Sequence, residues 1–205
     1  MEPLTLTTER LVLRAPGPAD TDTVYAACQD PDIQRWTTVP SPYRPEHASG
    51  FTGLLVPAGW AGDSMFTLGA FLPSGELAAM TGVTMHAPGV GELGYWCAKE
   101  HRGRGYVTEA CAALARWVLT ERGVDRLEWR AEVGNHASRA VAERLGFVME
   151  GTLRAGLDNN GVRRDVWIGS LLPSDLSLPS AAPYLPAPAP DGSPAVTPTA
   201  YRADV

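Results

Sequence analysis

The sequence predicts one α/β domain with a mixed, mainly antiparallel seven-stranded sheet and helices on both faces. Two observations support this fold class. Three short strand-like segments, separated by turn residues, occupy residues 65–97 and are typical of an antiparallel meander. An apolar-periodic helix then lies between two further strand segments, which predicts a parallel pair of strands joined by a crossover.

The first part of the chain predicts one strand followed by short helices. Residues 5–14 alternate toward their end and form the first predicted strand, which a Pro-Gly-Pro run ends. A helix is expected over residues 20–29, and residues 47–62 predict a helix interrupted near Pro57. The Pro-rich loop between these helices is expected to overhang the active face, since long irregular loops tend to carry function.

The second part predicts a strand, a helix and a closing hairpin. Residues 127–133 alternate as a strand, Asn135 is suited to cap the next helix, and Gly146 to end it. Residues 147–157 and 162–171 then form a hairpin over an Asn-Gly turn. The domain is therefore placed at residues 1–172. Residues 173–205, rich in Pro and Ala, are expected to form a flexible tail.

Composition narrows the class of protein. The chain has 205 residues, 44% of them hydrophobic, which suits one domain with a substantial core. A net charge of −6 argues against a nucleic-acid partner. Three cysteines without C-x-x-C spacing and four histidines without ligand spacing predict reduced thiols and no metal site. No signal peptide or membrane-spanning stretch is evident, so a cytoplasmic protein without a membrane partner is expected.

A glycine-rich loop precedes the crossover helix and predicts an anion site. Arg102, Gly103, Arg104 and Gly105 come just before the helix, whose free N–H groups and positive dipole end favour a phosphate. No Lys follows the glycines as in an ATP loop, and a dinucleotide fingerprint would have a third glycine where Thr108 stands. A simple turn that caps the helix is the alternative.

Several motifs occur in order over residues 5–172, and together they resemble the ribosomal-protein (Rim-type) branch of the GNAT N-acetyltransferases. The segments that carry the resemblance are Glu92-Leu93-Gly94-Tyr95-Trp96, Arg102-Gly103-Arg104-Gly105-Tyr106-Val107-Thr108-Glu109-Ala110, Asn135-x-x-Ser138 and Leu145-Gly146-Phe147. The resemblance implies a GNAT-like sheet whose two central parallel strands splay apart.

The resemblance also implies acetyl-CoA as the co-substrate, with no metal. Arg102 and Arg104 would add charge around the pyrophosphate. Tyr95, Trp96 and Cys97 would hold the pantetheine arm through their main chain, as an added strand. Asn135 would lie near the coenzyme arm, although capping a helix explains this residue equally well. The backbone N–H groups expected to bind the pyrophosphate are those of Gly103, Arg104, Gly105, Tyr106, Val107 and Thr108.

The catalytic assignments follow the same resemblance. Glu92 is the first choice of general base, with Asp158 or a water chain as alternatives. Ser138 would donate to the departing thiolate, and its alternative is a solvent-facing serine. Arg35 and Trp36 lie where this branch places substrate-facing residues, although a core Trp is equally consistent. A rival mechanism would use the Cys97 thiol as an acetyl carrier.

The function expected is direct acetyl transfer from acetyl-CoA to a primary amine. A protein N-terminal amine is suggested by the branch, and a metabolite or antibiotic amine is the alternative acceptor. A non-catalytic coenzyme A sensor and a nucleoside-phosphate-binding enzyme are rival classes. The protein is expected to be a monomer or a homodimer.

Overall fold

A computed structural model describes residues 1–187 of the chain, and in them eight strands form one sheet. The strands are β1 (Thr5–Thr7), β2 (Val12–Arg14), β3 (Met65–Phe71), β4 (Leu77–Ala87), β5 (Val90–Cys97), β6 (Arg126–Glu132), β7 (Val148–Asn159) and β8 (Val162–Leu171). The helices are α1 (Thr21–Ala27), α2 (Pro31–Trp36), α3 (Pro45–Gly50), α4 (Val56–Ala61), α5 (Tyr106–Glu121) and α6 (His136–Arg144). The end of the predicted tail, residues 188–205, lies outside the described residues.

The strand order is β1-β2-β3-β4-β5-β6-β8-β7, and every neighbouring pair is antiparallel except β5 and β6. The parallel pair predicted around the crossover helix is therefore confirmed. These two strands pair only from Val90 to Glu92 and from Arg126 to Glu128. Both strands continue beyond that point without pairing to each other, so the splay that the resemblance implied is present.

The segment predicted as the first strand forms two strands, which makes eight in all. The Thr8 N–H donates to the Leu11 carbonyl at 2.9 Å, and the Leu11 N–H donates to the Thr8 hydroxyl at 3.1 Å. These bonds close a turn, after which β2 runs back along β1. A threonine side chain that bonds to nearby backbone offers the chain this alternative to a continuous strand.

Helices cover both faces of the sheet because the strands alternate their side chains. On β4, Ala79 and Val83 belong to a large core cluster with Leu114 and Val118 of α5. Met80 points to the other face and joins a smaller cluster built on α1, α2 and α3. The core therefore lies in two layers, one on each side of the sheet.

The helix predicted over residues 47–62 has a π-helical turn, Phe51–Leu55, between α3 and α4. The N–H of Val56 bonds to the carbonyl of Phe51, five residues earlier. Pro57, which has no N–H to donate, follows this wider turn near the start of α4. The interruption expected near Pro57 thus takes the form of a widened turn.

After β8, the chain stays on the body of the domain for a short distance. A 3₁₀ turn forms over Pro173–Leu176, and Leu176 and Leu178 pack against the larger core cluster. The Ser180 hydroxyl donates to the carboxylate of Asp125 at 3.0 Å. The boundary at residue 172 stays a prediction. None of the helices in residues 1–187 has the length and apolar character needed to cross a membrane.

Candidate active site

A cleft of ≈ 1430 Å³ opens where β5 and β6 part. Its walls come from these strands, the glycine loop, α2 and the first turns of α5 and α6. Arg104 and Arg35 do not line it, and Arg35 lines a neighbouring hollow of ≈ 340 Å³. The other predicted site residues that line the cleft are Trp36, Glu92, Tyr95, Trp96, Cys97, Arg102, Gly103, Gly105, Tyr106, Val107, Thr108, Asn135 and Ser138.

The glycine loop presents the start of α5 without a side-chain cap. Gly103 has φ +74° and Gly105, the residue before the helix, has φ +80°. Both values lie in the left-handed region, where glycine is favoured because it has no Cβ. Within residues 1–187, no side chain caps the first turn of this helix. The helix therefore offers unpaired donors and its positive dipole end to an anion.

A carboxylate in the first turn of α5 braces the loop against the start of β2. Glu109 accepts from the Thr8 hydroxyl at 2.6 Å and from Arg10 Nε at 2.7 Å. Arg10 Nη1 also donates to the carbonyl of Arg104 at 3.0 Å. Burial alone would raise the pKa of Glu109, but the hydrogen bonds from Thr8 and Arg10 outweigh it and lower that pKa. This brace could not be predicted from the sequence, because its partners are about a hundred residues apart.

The two loop arginines differ in their surroundings. Arg102 forms ion pairs with Asp30 at 3.1 Å and with Asp32 at 2.9 Å, so its guanidinium bridges the loop and α2. Arg104 is exposed, and no ion pair to its side chain forms within the described part of the chain. Arg104 is therefore the arginine whose charge is available to an anion, whereas Arg102 would have to share its charge.

Glu92 lies on the cleft wall within a ladder of charges that crosses β4, β5 and β6. Its Oε2 is 3.1 Å from His86 Nε2 and 3.5 Å from Arg130 Nε. Arg130 continues the ladder to Glu128 at 2.8 Å. Asp158, the alternative base, lies near the end of β7, where it accepts from the Gly161 N–H of the following turn at 2.9 Å, and it does not line the cleft.

A buried carboxylate that the sequence analysis missed lies at the end of β6. Glu132 is 6% exposed and accepts from both Nη atoms of Arg35 at 2.7 Å. The Arg35 guanidinium also lies over the Trp36 ring, 4.3 Å from its centroid. Hydrogen bonding from Arg35 lowers the pKa of Glu132. The alternation of Glu128, Arg130 and Glu132 along one face of β6 was the available signal.

The start of α6 places Asn135 and Ser138 beside both parted strands. Asn135 Oδ1 accepts from the Ser138 N–H at 3.1 Å, which confirms that Asn135 caps this helix. The Ser138 hydroxyl lies 3.1 Å from the Tyr95 hydroxyl and 3.1 Å from Trp129 Nε1. A contact of Asn135 with a coenzyme stays a prediction.

Cys97 is poorly suited to carry an acetyl group. Burial raises the pKa of its thiol, and the nearby charge of Arg102 offsets this only in part. Its Sγ faces the Ala78 carbonyl at 3.5 Å. Since the thiolate is the nucleophilic form, these surroundings disfavour the rival thiol mechanism.

Three features combine at this site: the sheet parts between two parallel strands, glycines precede the start of a helix, and polar side chains share one cleft. This is the architecture of the acetyltransferase class. A family model described as the acetyltransferase (GNAT) domain matches residues 10–148, more than half of the chain. The chain belongs to the GNAT acetyltransferase family, as the sequence resemblance implied.

Individual relatives point to the ribosomal-protein branch and confirm that resemblance. Over 81 residues, 47% are identical to YdaF of Bacillus subtilis (strain 168), named provisionally as a ribosomal N-acetyltransferase; the match covers 40% of this chain and 44% of YdaF. A ribosomal-protein-serine acetyltransferase of Escherichia coli (strain K12) is 33% identical over 75 residues, 37% of this chain and 42% of the relative. The chain thus matches less than half the length of either relative.

Solved structures match the fold over nearly the whole domain. RimJ of Mycobacterium smegmatis, in complex with CoA-disulfide, superposes with a TM-score of 0.76 at 21% identity. That superposition covers 86% of this chain and 92% of RimJ. The mixed sheet with its parted strands is therefore the GNAT fold.

The buried pair of Glu132 and Arg35 predicts an acid-sensitive contribution to stability. The pKa of Glu132 in the folded protein lies below its ordinary value of 4.5, so this contribution is present above pH 4.5 and is lost as the pH falls through the folded value. Glu132→Gln should therefore lower the free energy of unfolding most near neutral pH, by an amount that shrinks below about pH 4. Urea unfolding from pH 7 to pH 3 measures this. Glu143→Gln, at an exposed pair on α6, is the control. A deficit in Glu132→Gln that stays constant with pH would contradict the prediction.

Proposed function

We propose that this protein transfers an acetyl group from acetyl-CoA directly to a primary amine, and that it works in the cytoplasm. One observation carries the proposal: the parting of β5 and β6 joins the uncapped start of α5, the free side of β5, Glu92 and Ser138 in a single cleft. A donor bound along this path would have its phosphates at one end and its thioester beside the polar side chains.

The donor fits the cleft through backbone groups. The N–H groups at the start of α5 suit the pyrophosphate, and Arg104 adds positive charge beside them. Beyond Glu92, the side of β5 that faces β6 has no strand partner in the described part of the chain, so the amides of a pantetheine arm can bond there as an added strand would. The solved relative RimJ, which carries a coenzyme A species, supports this choice of donor.

The reaction needs one base and one hydrogen-bond donor. Glu92 takes a proton from the amine, whose nitrogen then forms a bond to the acetyl carbon while the bond from carbon to sulfur breaks. A backbone N–H of β5 stabilises the charge that develops on the carbonyl oxygen. Ser138 donates a hydrogen bond to the departing sulfur. The products are the acetylated amine and coenzyme A: Glu92 passes the amine proton to solvent, and the thiolate takes a proton from water as it leaves.

We propose a protein N-terminal amine as the acceptor. The names of the relatives YdaF and the Escherichia coli enzyme support it, as does the size of the cleft, one wall of which comes from α2. Of the carboxylates that line the cleft, Asp32 and Glu132 at the α2 wall are already paired with Arg102 and Arg35. Glu92 is therefore the carboxylate that favours a cationic amine. Trp36 gives the same wall an aromatic surface, which suits a peptide side chain. A small-molecule amine is the alternative acceptor.

Release of free thiol from acetyl-CoA tests the function directly. The protein should release coenzyme A in proportion to added amine, and peptides with a free N-terminus should react faster than matched N-acetylated peptides or small amines. Calorimetry should detect binding of coenzyme A and none of ATP or NAD. Coenzyme A binding without amine-dependent release would instead support a sensor, and ATP binding would support a nucleotide enzyme.

Charge reversal in the glycine loop tests the donor site. Arg102→Glu combined with Arg104→Glu should weaken coenzyme A binding about ten- to a hundredfold, because charged hydrogen bonds to phosphate are lost. Arg104→Glu alone should produce part of this loss through its charge, since its side chain lies off the cleft wall, whereas Arg102 lines the cleft but is shared with Asp30 and Asp32. Arg116→Glu, at an exposed site on α5, is the matched control.

Calorimetry at two salt concentrations should find a smaller loss of coenzyme A affinity at higher salt. Unchanged affinity in the double variant would make the loop a simple turn.

The catalytic roles predict a loss of turnover without a loss of donor binding. Glu92→Gln should lower kcat at least about a hundredfold, because the base is removed. Ser138→Ala should lower kcat less, since water can replace its hydroxyl. Acetyl-CoA affinity should change little in both. Glu121→Gln, on the far end of α5, is the control. Near-normal kcat in Glu92→Gln would reassign the base to a water chain or Asp158.

A further inference from the structure

Three polar side chains meet at the start of α6 and come from three different elements. Trp129 of β6 donates its indole N–H to the Ser138 hydroxyl at 3.1 Å. The Ser138 hydroxyl donates in turn to the Tyr95 hydroxyl at 3.1 Å, and Tyr95 of β5 donates to the Ser138 carbonyl at 2.8 Å. All three residues line the cleft. Ser138 is therefore held from both of the strands that part.

Counting protons gives the partner of each donor before the reaction and shows which proton can move first. An indole N–H can only donate, so the Trp129 proton stays on the Ser138 oxygen. A carbonyl can only accept, so the Tyr95 hydroxyl proton points to the Ser138 carbonyl oxygen. The remaining proton is that of the Ser138 hydroxyl, which can turn from Tyr95 to another acceptor without leaving a buried donor unpaired.

The surroundings keep the two supporting groups neutral and in place. Trp129 is 1% exposed and belongs to the larger core cluster. Burial raises the pKa of Tyr95, so its phenol keeps its proton throughout the range in which enzymes work. Tyr95 therefore supports Ser138 as a hydrogen-bonding group and does not itself supply a proton.

We infer that Tyr95 and Trp129 are positioning residues that orient the Ser138 hydroxyl toward the departing sulfur. The inference rests on the role of Ser138 in the proposed function. As charge develops on the sulfur, the Ser138 proton turns to it, and Trp129 continues to hold the oxygen. The Tyr95 hydroxyl, freed from accepting, can turn its proton to the same oxygen, and two donors on that oxygen strengthen the hydrogen bond that Ser138 gives.

A double-mutant cycle tests the inference. Tyr95→Phe keeps the ring and removes the hydroxyl, so kcat should fall about three- to tenfold, as for the loss of one hydrogen bond. The KM for acetyl-CoA should stay within about twofold, because the contacts proposed for β5 are main-chain. In the Ser138→Ala background, Tyr95→Phe should change kcat by less than about twofold, since the group it positions is gone. Tyr43→Phe removes a buried hydroxyl outside the cleft and is the control.

The outcomes separate the inference from the proposed function. Normal kcat in Ser138→Ala would remove Ser138 from the proposed mechanism, and the inference with it. If Ser138→Ala lowers kcat but Tyr95→Phe leaves kcat unchanged or raises it, the inference alone is overturned. The same holds if the losses of kcat in the two variants are independent in the cycle. A second measurement does not need Tyr95→Phe to fold: the assigned NMR resonance of the Trp129 indole N–H should shift in Ser138→Ala. An unmoved resonance would overturn the shared hydrogen bond.

Discussion

The early end of the pairing between β5 and β6 is the constraint on which the site depends. The ladder ends at Glu92 and Glu128, although β5 runs on to Cys97 and β6 to Glu132. Backbone groups along the unpaired stretches need partners, which only water or a ligand can supply in the open cleft. The start of α6 spans the gap, because side chains from both strands bond to Ser138. The separation of β5 from β6 and the position of α6 therefore depend on each other.

Ion pairs connect the glycine loop with α2, the helix on the proposed acceptor side of the cleft. Arg102 belongs to the glycine loop, yet its partners Asp30 and Asp32 lie at the start of α2. The other end of α2 is fixed by the pair of Arg35 with the buried Glu132 on β6. The short helix that carries Trp36 is thus held at one end by the loop and at the other by the sheet. A ligand that drew Arg102 away from Asp30 would alter the support of the acceptor wall.

The local features of this fold could be predicted from sequence, because they depend on neighbours along the chain. The spacing of the glycines predicted the loop, the apolar periodicity predicted α5, and Asn135 predicted the cap of α6. Each of these signals spans only a short stretch of the chain. The order of strand, helix and strand also sufficed for the parallel pair. The split of the first strand at Thr8 could not be predicted in the same way, since its hydroxyl could serve a strand or a turn equally well.

The remaining features depend on residues that meet only after folding. The partner of Arg102 lies 70 residues earlier, and that of Arg35 lies 97 residues later. Nothing in the local pattern distinguished Arg102 from Arg104, although one is shared with two aspartates and the other is exposed. Ser138 was recognised as a candidate, but its neighbours Tyr95 and Trp129 come from separate strands. Candidate chemical groups could therefore be predicted from the sequence, but the residues that surround each group in the folded protein could not.

Those surroundings decide among the carboxylates that could serve as base. Glu132 lies on the cleft, but two hydrogen bonds from Arg35 stabilise its charged form, which makes it a weak proton acceptor. Asp158 bonds to the turn of its own hairpin and lies off the cleft wall. Glu92 lines the cleft, and its contacts with His86 and Arg130 both use Oε2, which leaves Oε1 for the amine. His86 is the more exposed member of its pair with Glu92. It therefore connects the carboxylate with solvent, where the proton must finally go. Among these three groups, Glu92 is the one that both lines the cleft and contacts a more exposed neighbour, which is why the proposed mechanism assigns it the role of base.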